Sequence, residues 1–64
     1  MSFMLFEVWT EDEDGHQELI ETTASMSEAV KLAKEAVSEG AFASSIFQET
    51  EDGNSIEIER FESD

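Results

Sequence analysis

The sequence predicts an α+β domain of order ββαββ, with one helix packed on one face of a four-stranded antiparallel sheet. Two acidic Asp-Gly turns, Asp14-Gly15 and Asp52-Gly53, each separate a pair of strand-like segments. A single segment with apolar residues at three- and four-residue steps lies between the two pairs. The whole chain of 64 residues is one small domain, 1–64.

Phe3 to Thr10 is the first strand, Phe-Met-Leu-Phe-Glu-Val-Trp-Thr. Alternation puts Phe3, Leu5, Glu7 and Trp9 on one face and Met4, Phe6, Val8 and Thr10 on the other. Both faces are largely apolar, so this strand belongs in the middle of the sheet. Glu11 to Gly15 forms the turn, because glycine accepts a positive φ without steric cost. His16 to Thr22 is a short, charged second strand suited to an edge.

Ser25 followed by Glu28 has the spacing of a helix capping box. Met26, Ala29, Val30, Ala33, Ala36 and Val37 mark the buried stripe of the helix that follows, with Leu32 beside it. The alanines let that helix lie close to a sheet. Gly40 is placed to end it in the left-handed conformation. Ala41 to Thr50 is the third strand, Glu51 to Asn54 the second turn, and Ser55 to Glu62 the fourth strand. In the fourth strand Ile56, Ile58 and Arg60 oppose Glu57, Glu59 and Phe61. Residues 62–64 are expected to fray. Pairing strands 1 and 3 antiparallel gives the order 2-1-3-4, with the charged strands at the edges.

The two hairpins match at an offset of 38 residues, so that Val8 meets Ile46, Trp9 meets Phe47 and Ile20 meets Ile58. The match is either an internal duplication or what two acidic hairpins of similar length look like; the second is the simpler expectation.

Seventeen acidic residues against three basic ones give a formal net charge of −14. That balance opposes direct binding of DNA, RNA or an anionic membrane, which needs clustered Lys and Arg. The absence of cysteine excludes disulfides, thiolate metal sites and a thiol nucleophile. The start of the chain lacks the basic region of a signal peptide, and no stretch approaches the ~20 apolar residues of a membrane span, so a cytoplasmic protein is expected.

A single helix covers only one sheet face. Either Phe3, Leu5 and Trp9 or Met4, Phe6 and Val8 must face away from it. The set Phe3, Leu5, Trp9, Phe47 and Phe61, rimmed by Glu7, Glu49, Glu57 and Glu59, has the aromatic centre and charged rim of an interface. A chain this small buries only about 60% of its unfolded surface, so packing two such faces into a homodimer is the expected use of the patch.

Thr10, Asp12, Asp14, Gly15, Glu18 and Glu21 stand at positions 1, 3, 5, 6, 9 and 12 of a calcium-loop template, which resembles part of an EF-hand loop. Position 1 is Thr rather than Asp, position 8 is Gln17, and the flanks are strands. An acidic turn explains these residues better, and no metal or cofactor is expected. His16 lacks an evident Ser, Cys or second His as partner, and about 60 residues leave little room for a deep pocket. The expectation is a protein without catalysis.

The acidic surface is formed by Glu11, Asp12, Glu13, Asp14, Glu18, Glu51, Asp52, Glu57 and Glu59, with Lys31 and Lys34 set apart on the helix. Carboxylates at strand spacing imitate a phosphate backbone. In size and composition, though in no motif, the chain resembles the phage-encoded nucleic-acid mimics that occupy basic grooves of defence enzymes. The resemblance implies a basic nucleic-acid-binding protein as partner. The alternatives are a small homodimeric regulatory or structural domain acting through its aromatic face, and a calcium-binding turn protein. Acidity also serves solubility on its own.

Overall fold

The computed structural model describes residues 4–63. Its elements are β1 (Phe6–Glu11), β2 (Gln17–Thr23), α1 (Met26–Ser38), β3 (Ala43–Glu49) and β4 (Ser55–Glu62). The strands form one antiparallel sheet in the order β2-β1-β3-β4, as the sequence predicts. The first regular strand begins later than the apolar run does, although Leu5 O already accepts the Glu49 N–H at 3.0 Å. At the other end the Ser63 N–H donates to Phe42 O at 3.0 Å, so pairing runs into the stretch expected to fray.

The helix forms where its caps dictate. Ser25 is extended, and its Oγ accepts the Glu28 N–H at 3.2 Å. Only this half of the capping box is present, because the Ser25 N–H donates to Thr23 Oγ1 instead. At the C-terminus the Ala41 N–H reaches Ala36 O and the Gly40 N–H reaches Val37 O, which is a Schellman closure with Gly40 at φ +118°.

Phe6, Val8, Ala29, Ala33 and Ile46 make the core, with Met26, Val30, Leu32 and Phe61 packed against it. The helix therefore covers the Phe6/Val8 face and leaves the Trp9 face open. Ala29 and Ala33 have no exposed surface, and their small side chains bring the helix axis down onto Val8 and Ile46.

The two hairpins are structural equivalents. In β1–β2 the register slips between Val8 and Trp9, leaving Ile20 as the extra residue of a bulge. In β3–β4 it slips between Ile46 and Phe47, leaving Ile58 extra, 38 residues on. The turns repeat as well. The Asp12 N–H donates to His16 O and the Gly15 N–H to Asp12 O; the Thr50 N–H donates to Asn54 O and the Gly53 N–H to Thr50 O. Gly15 and Gly53 share φ +87°, which a side chain would strain. Equivalent residues of the central strands sit directly opposite one another only at Val8 and Ile46. A pseudo-two-fold axis normal to the sheet passes through that pair, and α1 lies across it.

The bulges correct the reading of β4. Strict alternation puts Glu57, Glu59 and Phe61 on one face, opposite Arg60. The extra Ile58 reverses the parity beyond it, so Phe61 lies opposite Ser44 on the helix side and Arg60 opposite Ser45 on the open side.

So small a core supplies only about 3–5 kcal/mol. Ile46→Ala removes a fully buried side chain at a cost of about 2–5 kcal/mol. Loss of the cooperative thermal transition, followed by far-UV circular dichroism, is the expected outcome.

Candidate functional site: an open sheet face between two acidic ends

Trp9 and Phe47 meet on the open face because each belongs to a central strand and stands one residue past Val8 or Ile46, whose side chains face the helix. Their rings lie edge to face, with centroids 6.4 Å apart and planes at 77°. Such pairs contribute about 0.5–1.5 kcal/mol beyond the area they bury. The Trp9 Nε1–H donates to Glu7 Oε1 at 3.3 Å. Arg60 crosses the same face from β4: Nη2 lies 3.3 Å from Glu11 Oε2 on β1 and 3.9 Å from Glu62, and Nη1–H donates to Ser45 Oγ at 3.4 Å. The neighbouring Glu11 carboxylate, then Glu62 and Glu57, raise the Arg60 pKa further above its ordinary value. Arg60 thus ties three strands together on the face that lacks a helix.

Of the five apolar residues expected at an interface, the structure brings three to this face. Trp9 and Phe47 form its centre, and strand parity places Leu5 beyond them, toward the second turn. All three are half-buried. Phe61 lies on the other side of the sheet, where Lys34 Nζ sits 5.8 Å from its ring centroid. Phe3 lies outside the described residues. The apolar side chains with most surface are instead at the margins: Ile56 is 57% exposed, Met4 53%, Leu19 44% and Phe42 42%.

The nine acidic residues expected at a partner surface divide between the two ends of the sheet and one edge. Glu11, Asp12, Glu13, Asp14 and Glu18 cluster around the first turn, and Glu51 and Asp52 occupy the second, at the opposite end. Glu57 and Glu59 lie between, on the β4 edge. The bulge puts them on opposite faces, Glu57 across from Phe47 and Glu59 across from Ile46.

Each acidic tip is organised from within. Asp12 Oδ1 accepts the N–H groups of Asp14 and His16, both at 2.9 Å, and Oδ2 lies 3.2 Å from His16 Nδ1. The His16 N–H is the main reason that the Asp12 carboxyl titrates below its ordinary value. In the second tip Thr50 takes the place of Asp12: its Oγ1 accepts the Asn54 N–H at 3.2 Å and donates to Asp52 Oδ1. That hydroxyl, with the Asn54 backbone second, lowers the Asp52 pKa.

Potential ligand atoms of Asp12, Asp14 and His16 lie within 4.8 Å of one another, all exposed. The Asp12 oxygens are already committed to holding the turn. The wider calcium template does not converge: Thr10 pairs with Glu18, while Glu21 stands two rungs away, opposite Val8. An open cleft of about 590 Å³ lies beside this tip, between the carboxylates and Phe42. The two buried serines serve the sheet, since the Ser44 Oγ–H donates to Trp9 O at 2.8 Å and Ser45 receives Arg60.

Arg60 is the residue that sequence reasoning missed, because its face depends on the bulge. No protein-family model matches the chain, and no curated protein or solved structure matches it.

Asp12 has a depressed folded pKa, so its contribution to stability is complete above its unfolded pKa. It is lost as pH falls through the lower folded value, below 3.8. Asp12→Ala is therefore expected to lower the melting temperature at pH 7, and the difference from wild type should close below that value. Melting curves from pH 2 to 7 check it; a difference that is constant with pH contradicts the role.

Proposed function

We propose that the chain is a non-catalytic, acidic protein-interaction module that binds a basic protein surface in the cytoplasm, occupying it as a nucleic acid does. One observation carries the reading: the linear density of charge. Residues 4–63 hold sixteen carboxylates against three cations, and the longest dimension is 39 Å. That is about one net negative charge per 3 Å, against roughly 3.4 Å for one DNA strand and 1.7 Å for the duplex. A groove evolved to hold phosphates meets a comparable field here, and such attraction steers a basic partner toward the acidic ends.

The arrangement of side chains supports binding over catalysis. His16 is held by a turn carboxylate, and Ser44 and Ser45 are engaged in the sheet. A second reading, contact through the open face, is favoured by the Trp9–Phe47 pair at the centre of that face.

The test is retention of proteins from a cell lysate on the immobilised chain at 50 mM and 300 mM salt, followed by elution with duplex DNA. The expected result is retention of nucleic-acid-binding proteins at low salt only, with release by DNA. Loss of retention on replacing Glu13, Asp14, Glu51 and Asp52 with their amides places the contact at the acidic tips. Retention that ignores salt and DNA and disappears with Trp9→Ala overturns the proposal in favour of the open face.

A further inference from the structure

β4 is an edge strand, and every residue in it except Phe61 is exposed. An edge offers unpaired backbone groups to another strand, and bulges and charges normally guard against such pairing. Here the bulge acts selectively. A regular strand laid against β4 in unbroken register matches its faces on one side of Ile58 and mismatches them on the other; β3 avoids the mismatch only by the slip between Ile46 and Phe47. A strand carrying the same bulge at the same place has no such conflict.

We propose that β4 pairs antiparallel with β4 of a second copy of this chain, joining two sheets into one of eight strands. The register follows from the faces. Ser55, Glu57, Arg60 and Glu62 stand on the open side, opposite Glu49, Phe47, Ser45 and Ala43. Ile56 and Phe61 stand on the helix side, opposite Gln48 and Ser44. A two-fold axis normal to the sheet, between Ile58 and Glu59, sets Ser55 against Glu62, Ile56 against Phe61 and Glu57 against Arg60, each pair sharing a face. Glu57 then meets Arg60 of the other copy, twice by symmetry. Ile56, 57% exposed in the single chain, meets Phe61 of the other copy, also twice.

Charge complementarity selects β4 over its equivalent, β2. The same operation on β2 sets Leu19 against Thr22 and Glu18 against Thr23, with no ion pair and no apolar pair. It also selects the second copy over a regular strand of another protein, since only a strand with the same bulge meets both Glu57 and Arg60 in unbroken register. The pairing leaves both acidic turns, the helix and the open face uncovered, so it stands independently of the partner proposed above. Within its own chain Arg60 is faced by Glu11, Glu62 and Glu57. The seam adds the other copy's Glu57.

Sedimentation equilibrium at 0.15 M salt, on the wild type, Glu57→Arg and the exchange Glu57→Arg/Arg60→Glu, tests the seam. The wild type is expected to dimerise. Glu57→Arg relieves the net charge by two per chain but sets arginine against arginine across the axis, and is expected to raise the dissociation constant about tenfold or more. The exchange restores opposite charges at the same places and is expected to recover most of that loss. Far-UV circular dichroism checks that each variant keeps its fold, so that a lost dimer is not an unfolded chain. A wild type that stays monomeric at millimolar concentration overturns the proposal. So does a Glu57→Arg dimer as tight as the wild type, which would place the contact on another surface.

Discussion

The structure depends on one cross-strand pair, Val8 opposite Ile46. Both side chains are completely buried, and both lie under the alanine stripe of the helix. The pair also marks the point about which the two hairpins are related. The bulges lie one step beyond it in each hairpin, and the Trp9–Phe47 contact lies one step beyond it on the reverse face. A sheet this small has one place where two β-branched residues can be fully covered, and the helix crosses there.

The two faces of the sheet solve the same covering problem differently. On one side alanines allow a helix to approach, and apolar contact does the work. On the other side an edge-to-face aromatic pair is flanked by Glu7 and by Arg60, whose guanidinium reaches Glu11 across β3. Exposed ion pairs are individually weak, about 0–1 kcal/mol. Here they tie β4 to β1 across β3 on the face where Trp9 and Phe47 stay half-buried in a single chain. The expected broad aromatic patch is therefore smaller than the sequence implies, and the exposed apolar groups stand on the edge strands, beside the first turn and, at Met4, ahead of β1.

Element order, strand order and both helix ends were legible from the sequence because their signals are local. Gly15, Gly40 and Gly53 sit where positive φ is required, and Ser25 caps where a donor lacks a partner. The match of hairpins at 38 residues was also visible, and the structure adds bulges and turn hydrogen bonds at equivalent places. The bulges themselves were not legible. An extra residue such as Ile58 looks like any other member of a strand until its partner strand is known. Strict alternation therefore assigns everything beyond it in β4 to the wrong face, Phe61 to the open side and Arg60 to the helix side. The acidic turns were found by counting charges, while the internal bonds that shape each tip depend on Asp12 in one and Thr50 in the other.

The sheet has a near two-fold axis, but the helix lying across that axis runs one way only. Its C-terminal end, which holds Glu39, closes beside the first turn, where Gly40 and Ala41 line the same cleft as Glu11 and Asp14. Its N-terminal end lies toward the second turn. A helix carries roughly half a negative charge at its C-terminus and half a positive charge at its N-terminus. No basic residue in the last turn offsets the negative end. Two tips that the backbone makes equivalent thus differ in potential: one is deepened by the helix and the other is partly relieved. The molecule is an electrical dipole with a definite head, and its field turns a positively charged body toward the Asp12 end.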